Sequence, residues 1–449
     1  MLYRLHNNIF IVGLLTLCFL AVMSSGRALC AITPVTMFAF ITQVALLLWY
    51  SHEDINSYSE KELFQTVLVY SFLIAGLIIV TSNFLLGEEF LWEDPDGVFY
   101  YEEGLRSIDM GLPENVTRII SRFGFDDWGA LILSAFMMYI IPSNLFMNAL
   151  HVLTGAISAV LLFRIGKRLM PEKYAFIAGL AYGTSSYLIM FHCTYLKESV
   201  FTFLVICAMY NFYKAIVDKK NGSLIIVFVF LLIMVFYRPA VVAFLLVGFV
   251  GYYAVTQHGS ALSLFLYGMI LVGLVASMAF LQSQMDHYTE GGNTDELLAE
   301  NGSANYSGGF NYFVGWFASL FGPFPTLFPN VSLGPRNMNF YGAGLTYKLF
   351  LVVPLWTGVY FAVKRFNAIM IPIVGFTIVE MAASAYVMAS FELRKVMLHM
   401  PFIYPLAFYG LYCLEKNKIK DTYKHLSEIT GHILAIGILL LWNVIKVKG

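Results

Sequence analysis

Long apolar runs separated by short polar segments dominate the chain. Most runs hold roughly 16–23 residues, and an α-helix needs about 20 to cross a bilayer. Polarity does not alternate within the runs, as it would in the strands of an outer-membrane barrel. The pattern predicts an all-α, polytopic transmembrane helical bundle of about 13 spans. The predicted helices cover residues 9–24, 32–50, 65–86, 145–163, 174–190, 199–216, 223–237, 239–255, 261–281, 347–363, 367–389, 399–414 and 431–446.

The apolar segment 128–142 is shorter than the other runs. It ends at Pro142-Ser143-Asn144, only a few residues before the next predicted helix. An apolar length of about 10–14 residues suits an interfacial or re-entrant element better than a full span. We therefore expect an interfacial helix here, inside an outer loop.

Clusters of Lys and Arg set the predicted orientation, because cytoplasmic loops carry an excess of positive charge. The basic clusters fall on one side of the membrane only if segment 128–142 does not cross it. The N-terminus is then cytoplasmic, and two large loops, 86–144 and 282–346, are external. The basic clusters are Arg164 to Lys173, Lys219-Lys220, Lys364-Arg365 and Lys416 to Lys424.

Composition supports a single integral membrane domain over residues 1–449. The chain is 59% hydrophobic and 12% charged, whereas soluble domains carry about 25% charged residues. The net charge of −1 gives no electrostatic reason to expect a nucleic-acid partner. The five cysteines are scattered and show neither metal-ligand spacing nor a disulfide framework. We expect membrane lipids as neighbours and the bacterial cytoplasmic membrane as the location.

The stretch 86–127 is a polar island, with eleven carboxylates and three arginines. Asp94 and Asp96 flank Pro95 just beyond a predicted membrane exit. Because proline disfavours regular helix, the two carboxylates are predicted to project from a fixed turn. One could take a proton from a sugar hydroxyl, and the pair could hold a divalent cation. A solvated acidic loop remains the alternative.

Basic side chains stand at three other predicted outer ends of helices. Lys197-Glu198 precedes one helix, Arg238 divides the apolar stretch 223–255, and Arg394-Lys395 precedes a late helix. Arginine binds phosphate through a planar fork of donors, so these positions suit an anionic lipid headgroup. Ordinary helix ends with snorkelling side chains are the alternative. Glu380, alone within a predicted span, is either a buried, partnered acid or a lining residue.

The chain resembles the GT-C superfamily of polyprenyl-phosphate-dependent glycosyltransferases, which includes protein mannosyltransferases and aminoarabinose transferases. The likeness covers about 86–255 and 390–414, although three predicted helices, rather than one, precede the acidic stretch here. It is one of pattern rather than of an exact motif. The segments that show the resemblance are Asp96 to Gly104, Trp128 to Pro142, Leu150 to Leu169, Tyr195 to Ser199 and Glu392 to Pro401.

The resemblance implies a GT-C-like fold and a role for each candidate residue. Asp96 would be the general base of an inverting transfer, and Asp94 its partner or a metal ligand. Tyr100 would shape the sugar site. The residues that would bind the phosphate of the carrier lipid are Arg238, Arg394, Lys395 and Lys197 with Glu198.

The implied partners are a polyprenyl-phosphate-linked sugar donor and a glycan, lipid or protein acceptor. The family does not uniformly need a metal, so a divalent cation at Asp94 and Asp96 stays open, and no other cofactor is implied. Two alternatives remain. One is a polymerase or ligase that acts on lipid-linked oligosaccharide. The other is a flippase, which would place ionisable residues along a central path rather than on one face.

Overall fold

Helices make up almost all of the part of the chain that the structure, a computed structural model, describes, and no strand occurs there. That part covers residues 1–23, 34–52, 58–83, 95–256, 322, 324–325, 341–365, 367–388, 395–417 and 420–448. The α-helices in the first half are α1 Leu2–Met23, α2 Pro34–Ser51, α3 Glu60–Thr81, α4 Pro95–Met110, α5 Leu112–Arg122, α6 Trp128–Ile140, α7 Asn144–Gly166, α8 Glu172–Gly183 and α9 Ser186–His192.

The remaining helices continue the bundle. The α-helices are α10 Glu198–Ile216, α11 Ser223–Val235, α12 Pro239–Thr256, α13 Gly342–Leu349, α14 Val352–Lys364, α15 Ile371–Met388, α16 Met400–Lys416 and α17 Asp421–Lys448. Two short 3₁₀ helices, Ala368–Met370 and Lys395–Leu398, precede α15 and α16 respectively.

Six helices of the described chain are long and apolar enough to cross a membrane, and the number rises to eight if each bent pair is one span. The bent pairs are α8 with α9, at 48°, and α13 with α14, at 51°. These helices indicate an integral membrane protein. The described residues therefore support six to eight spans, and the predicted count of about 13 is not confirmed. The predicted helix 261–281 lies outside the described residues.

The acidic stretch differs from its prediction at Pro95. Pro95 is the first residue of α4, and Asp96 lies in the first turn of that helix, so the prediction of a non-helical turn was wrong. Proline is tolerated at a helix start because its missing N–H would have no intrahelical partner there, and its fixed φ already suits the helix. Much of the predicted loop is therefore the helix pair α4 and α5.

The predicted interfacial segment forms α6, a 13-residue apolar helix that packs against α4. Gly104 on α4 permits this close approach, because a side chain there would collide with Ser134 of α6. The Ser134 hydroxyl donates to the Tyr100 carbonyl oxygen at 2.6 Å. It also shares a hydrogen bond of 2.8 Å with the Tyr195 hydroxyl. Ser134 thus ties α4 to the segment that precedes α10.

Helix α7 lies at the centre of the first half of the bundle, where it packs on α3, α8 and α10. In the second half, α14 packs along α16 and α12 along α15. Glycines allow the closest of these contacts, with Gly358 against the Leu406 carbonyl and Gly410 against the Pro354 carbonyl. Small residues allow helix backbones to approach closely in membranes.

Candidate functional site

The first turn of α4 rests directly on the chain segment between α9 and α10. A side-chain carbon at Gly97 would lie 2.5 Å from the Thr194 carbonyl oxygen, so only glycine allows this approach. Asp96 is the residue before Gly97, and Tyr100, one turn later, lies with its ring centroid 5.9 Å from Lys197 Nζ at the start of α10.

Tyr195 adopts a left-handed backbone conformation, with φ of 61°. A bulky residue rarely occupies this region, and such strain costs on the order of 1–3 kcal/mol. Its hydroxyl is held by Ser134, and its ring meets the Tyr101 ring edge to face at 5.6 Å. These contacts fix the turn that delivers Lys197 and Glu198 to the site.

Lys197 contacts both an acid and an aromatic ring. Its ammonium group forms an ion pair with Asp127, the residue just before α6. The same Nζ atom lies 5.9 Å from the centroid of the Tyr100 ring. The Tyr100 hydroxyl donates to Asp127 Oδ1 over 3.4 Å. Asp127 therefore links α4, α6 and α10.

A second ion pair joins the next two helix starts. The Arg238 Nη2 atom lies 2.9 Å from Glu198 Oε1. Glu198 is only 2% exposed whereas Arg238 is 25% exposed, so the guanidinium reaches from a buried carboxylate toward the surface. Glu198 Oε2 accepts no hydrogen bond from the described chain. Tyr237 supports this position by stacking on Phe201 at 5.8 Å.

The electrostatics of Tyr100 show that the two ion pairs belong to one cluster. Burial raises the pKa of its hydroxyl above the usual value, and the carboxylates Asp127, Glu198 and Asp96 raise it further, against an opposing effect of Arg238. All these charges thus act on a single phenol. Tyr100 is neutral at physiological pH and can donate a hydrogen bond there.

Four helices begin at this cluster. Asp96 is in the first turn of α4, Asp127 precedes α6, Lys197 precedes α10 and Arg238 precedes α12. A backbone hydrogen bond of 2.8 Å from the Gly129 N–H to the Phe236 carbonyl oxygen joins the start of α6 to the segment before α12. Helix N-termini carry partial positive charge and unpaired N–H groups, which favour anions.

The structure brings together five of the predicted site residues, namely Asp96, Tyr100, Lys197, Glu198 and Arg238. Asp94 and Arg394 lie outside the described residues, and Lys395 is described only as the backbone start of the 3₁₀ helix 395–398, which packs on α10. The sequence interpretation missed Asp127 as a site residue. Its signal was its place at the end of the acidic stretch, directly before an apolar helix.

Glu380 proves to be a buried, partnered acid. It pairs with Nδ1 of His399, and both side chains are almost fully buried. Glu198 and Glu380 both interact electrostatically with the Tyr187 hydroxyl. The pair therefore lies in the interior of the bundle.

Three or more metal-ligating side chains do not come together anywhere in the described residues. Asp96 is described without Asp94, so a divalent cation at this pair stays a prediction.

Comparison with known proteins assigns the chain to no family. No protein-family model matches it, and no curated protein matches it.

Proposed function

We propose that the protein is a membrane glycosyltransferase that moves a sugar from a polyprenyl-phosphate-linked donor to an acceptor at the extracytoplasmic face. One observation carries the proposal. Three carboxylates, a neutral phenol and two cations meet where four helices begin, and Asp127 and Glu198 each pair with one of the cations. Transfer from an anionic lipid carrier needs both a base for the acceptor and positive charge for the departing phosphate.

Asp96 is the base in this proposal. It accepts the proton of an acceptor hydroxyl while the hydroxyl oxygen forms a bond to the anomeric carbon. The bond between that carbon and the phosphate oxygen breaks, and the electron pair leaves with the lipid phosphate. A single displacement of this kind inverts the anomeric carbon. Asp96 lies in the first turn of α4, where the helix dipole interacts favourably with negative charge.

Arg238 and Lys197 bind the phosphate. Arginine has five N–H donors in a planar fork, and the pair with Glu198 leaves several of them for phosphate oxygens. Lys197 has three donors, and Asp127 takes one. Each cation is held by a carboxylate before substrate arrives, so little reorganisation is needed when negative charge develops on the leaving group.

Tyr100 and the 395–398 segment complete the site in this proposal. The neutral Tyr100 hydroxyl donates a hydrogen bond to the sugar or to the phosphate. Arg394 and Lys395 add positive charge from the second half of the chain, and Asp94 assists Asp96.

Membrane preparations that contain or lack the protein test the proposal. Radiolabelled polyprenyl-phosphate-linked sugars are extracted, and the species consumed is identified together with the free polyprenyl phosphate released. We expect one lipid-linked sugar to disappear in step with release of its carrier. Movement of the intact lipid-linked sugar across the bilayer without release of the carrier would contradict the transferase and indicate a flippase.

A further inference from the structure

A second, uncharged cavity lies beside the charged cluster. It has a volume of about 330 Å³, is partly open to the surface, and is lined by the ends of α3 and α7, by Tyr101 of α4 and by Cys193. Pockets that hold small molecules measure roughly 300–1,000 Å³. The cavity is therefore just large enough for a small ligand.

Polar atoms without partners line this cavity. The carboxamide oxygens of Asn144 and Asn148 and the hydroxyl of Ser82 are buried and have no hydrogen-bond partner in the described chain. Asn148 is 5% exposed and Ser82 is 2% exposed. Buried polar groups in proteins are nearly always hydrogen-bonded. Three such atoms without a partner around one cavity therefore indicate that a bound molecule supplies their hydrogen bonds.

The lining indicates a neutral ligand that carries several hydroxyl groups. No Asp, Glu, Lys, Arg or His is among the described residues around the cavity. Two carboxamides and a hydroxyl can donate and accept hydrogen bonds, and the Tyr101 ring adds an apolar face. An anionic or cationic group would enter this cavity without a counter-charge.

The cavity and the charged cluster both lie against α4 and the segment that precedes α10. Tyr101 borders the cavity and Tyr100, its neighbour on α4, carries Lys197 against its ring. Tyr195 packs on Tyr101 and precedes Lys197 by two residues. Neighbouring residues of α4 and of the segment that precedes α10 thus border both the cavity and the charged cluster.

We propose that this cavity binds an uncharged sugar ring, held by Ser82, Asn144 and Asn148 and covered by Tyr101. The assignment of that ring as part of a substrate rests on the proposed sugar transfer. The binding itself does not depend on transfer. Asn144 and Asn148 are four residues apart on α7, so both carboxamides face the same side of the helix.

Saturation-transfer NMR with the full-length protein in lipid nanodiscs tests the binding. The probes are the methyl glycosides of glucose, galactose, mannose and N-acetylglucosamine, with methylcyclohexane-carboxylate as an anionic ring of similar size. We expect at least one glycoside, and not the carboxylate, to receive saturation from the wild-type protein. Asn148→Leu, which fills the cavity with an apolar side chain, should weaken that binding at least tenfold.

Matched variants separate binding from folding. Thr154→Val changes a buried residue of α7 whose hydroxyl bonds only to the helix backbone at His151, and it should bind like the wild type. Asn144→Leu is the second cavity variant, for use if Asn148→Leu has a lower thermal unfolding midpoint than Thr154→Val. Equal binding by wild type and both cavity variants, or saturation of no glycoside because water alone fills the cavity, overturns the proposal.

The two proposals fail in different ways. Asp96→Asn removes the base and leaves the cavity lining intact, so it should bind the glycoside as the wild type does. Glycoside binding without consumption of any lipid-linked sugar would contradict the transferase and leave the sugar site standing. Consumption of a lipid-linked sugar without glycoside binding would contradict the sugar site in the cavity and support the transferase.

Discussion

At the residue scale, the site depends on ion pairs in which one partner is buried and the other reaches outward. Glu198 is buried and Arg238 is partly exposed, so the carboxylate fixes the guanidinium and leaves its outer donors free for phosphate. A buried ion pair contributes little net stability compared with apolar residues of the same size, so stability alone does not account for this pair.

Paired substitutions at Arg238 and Glu198 distinguish binding from stability. Arg238→Met leaves the buried carboxylate unpaired and should lower the free energy of unfolding by on the order of 3 kcal/mol. Adding Glu198→Gln removes the unpaired charge and should restore most of that loss without restoring sugar transfer. Thermal unfolding and polyprenyl-phosphate release are measured on the same samples. Recovery of transfer in the double variant would count against a phosphate-binding role for Arg238.

The sequence predicted some of these residues better than others. Lys197, Glu198 and Arg238 stood out because they are ionisable residues between apolar runs, for which phosphate binding and an ordinary helix end were the two interpretations. Asp127 did not, because its partner Lys197 is 70 residues away and lies on another helix. The left-handed backbone of Tyr195 had no sequence signal either, since it follows from packing against α4 and α6.

At the element scale, the starts of α4, α6, α10 and α12 converge because glycines allow their backbones to meet. Gly97 lies on the Thr194 carbonyl, and Gly129 lies against the Tyr237 ring. Of these helices, α6, α10 and α12 were predicted from apolar runs, and the predicted bounds agree closely at α10 and α12, as they do at α2. Helix α4 was expected to be part of a loop. The predicted break at Arg238 is confirmed, with Pro239 as the first residue of α12, whereas the expected non-helical turn at Pro95 was wrong, because that proline also begins a helix.

Gly129→Ala tests this convergence. A methyl group at Gly129 would overlap the Tyr237 ring, so it should displace Tyr237 and the adjacent Arg238. We expect a reduction in transfer rate of at least tenfold and a lower unfolding midpoint. Gly76→Ala is the control, because Gly76 lies in α3 with no other atom close to it and alanine stabilises helix interiors by roughly 0.5–1 kcal/mol relative to glycine. Equal effects of the two substitutions would contradict the packing argument.

At the scale of the whole molecule, the charged cluster, the sugar cavity and α6 are predicted to face the extracytoplasmic side. The basic segments Arg164 to Lys173 and Lys219-Lys220 lie at the opposite ends of α7 and α10 from the cluster. Arg168 pairs with Asp218 there, and the Arg168 hydrogen bond lowers the pKa of Asp218 below its usual value. Positive charge at this end agrees with a cytoplasmic position.

Cysteine labelling measures the orientation directly. Asp109→Cys on α4 and Lys219→Cys beyond α10 are both at exposed positions, and each is placed in a variant whose native cysteines are replaced. A membrane-impermeant maleimide should label Asp109→Cys in intact cells and Lys219→Cys only after permeabilisation. The reverse pattern would place the cluster at the cytoplasmic face and contradict transfer on the outer side.

The central claim is that Asp96 is the base for sugar transfer, and a single-turnover rate tests it most directly. Purified protein in nanodiscs is mixed with its lipid-linked sugar and acceptor, and release of polyprenyl phosphate is followed for wild type, Asp96→Asn and Asp109→Asn. Asp109 is an exposed carboxylate at the other end of α4. We predict a rate about 10³-fold lower for Asp96→Asn and unchanged for Asp109→Asn. A wild-type rate in Asp96→Asn would contradict the account.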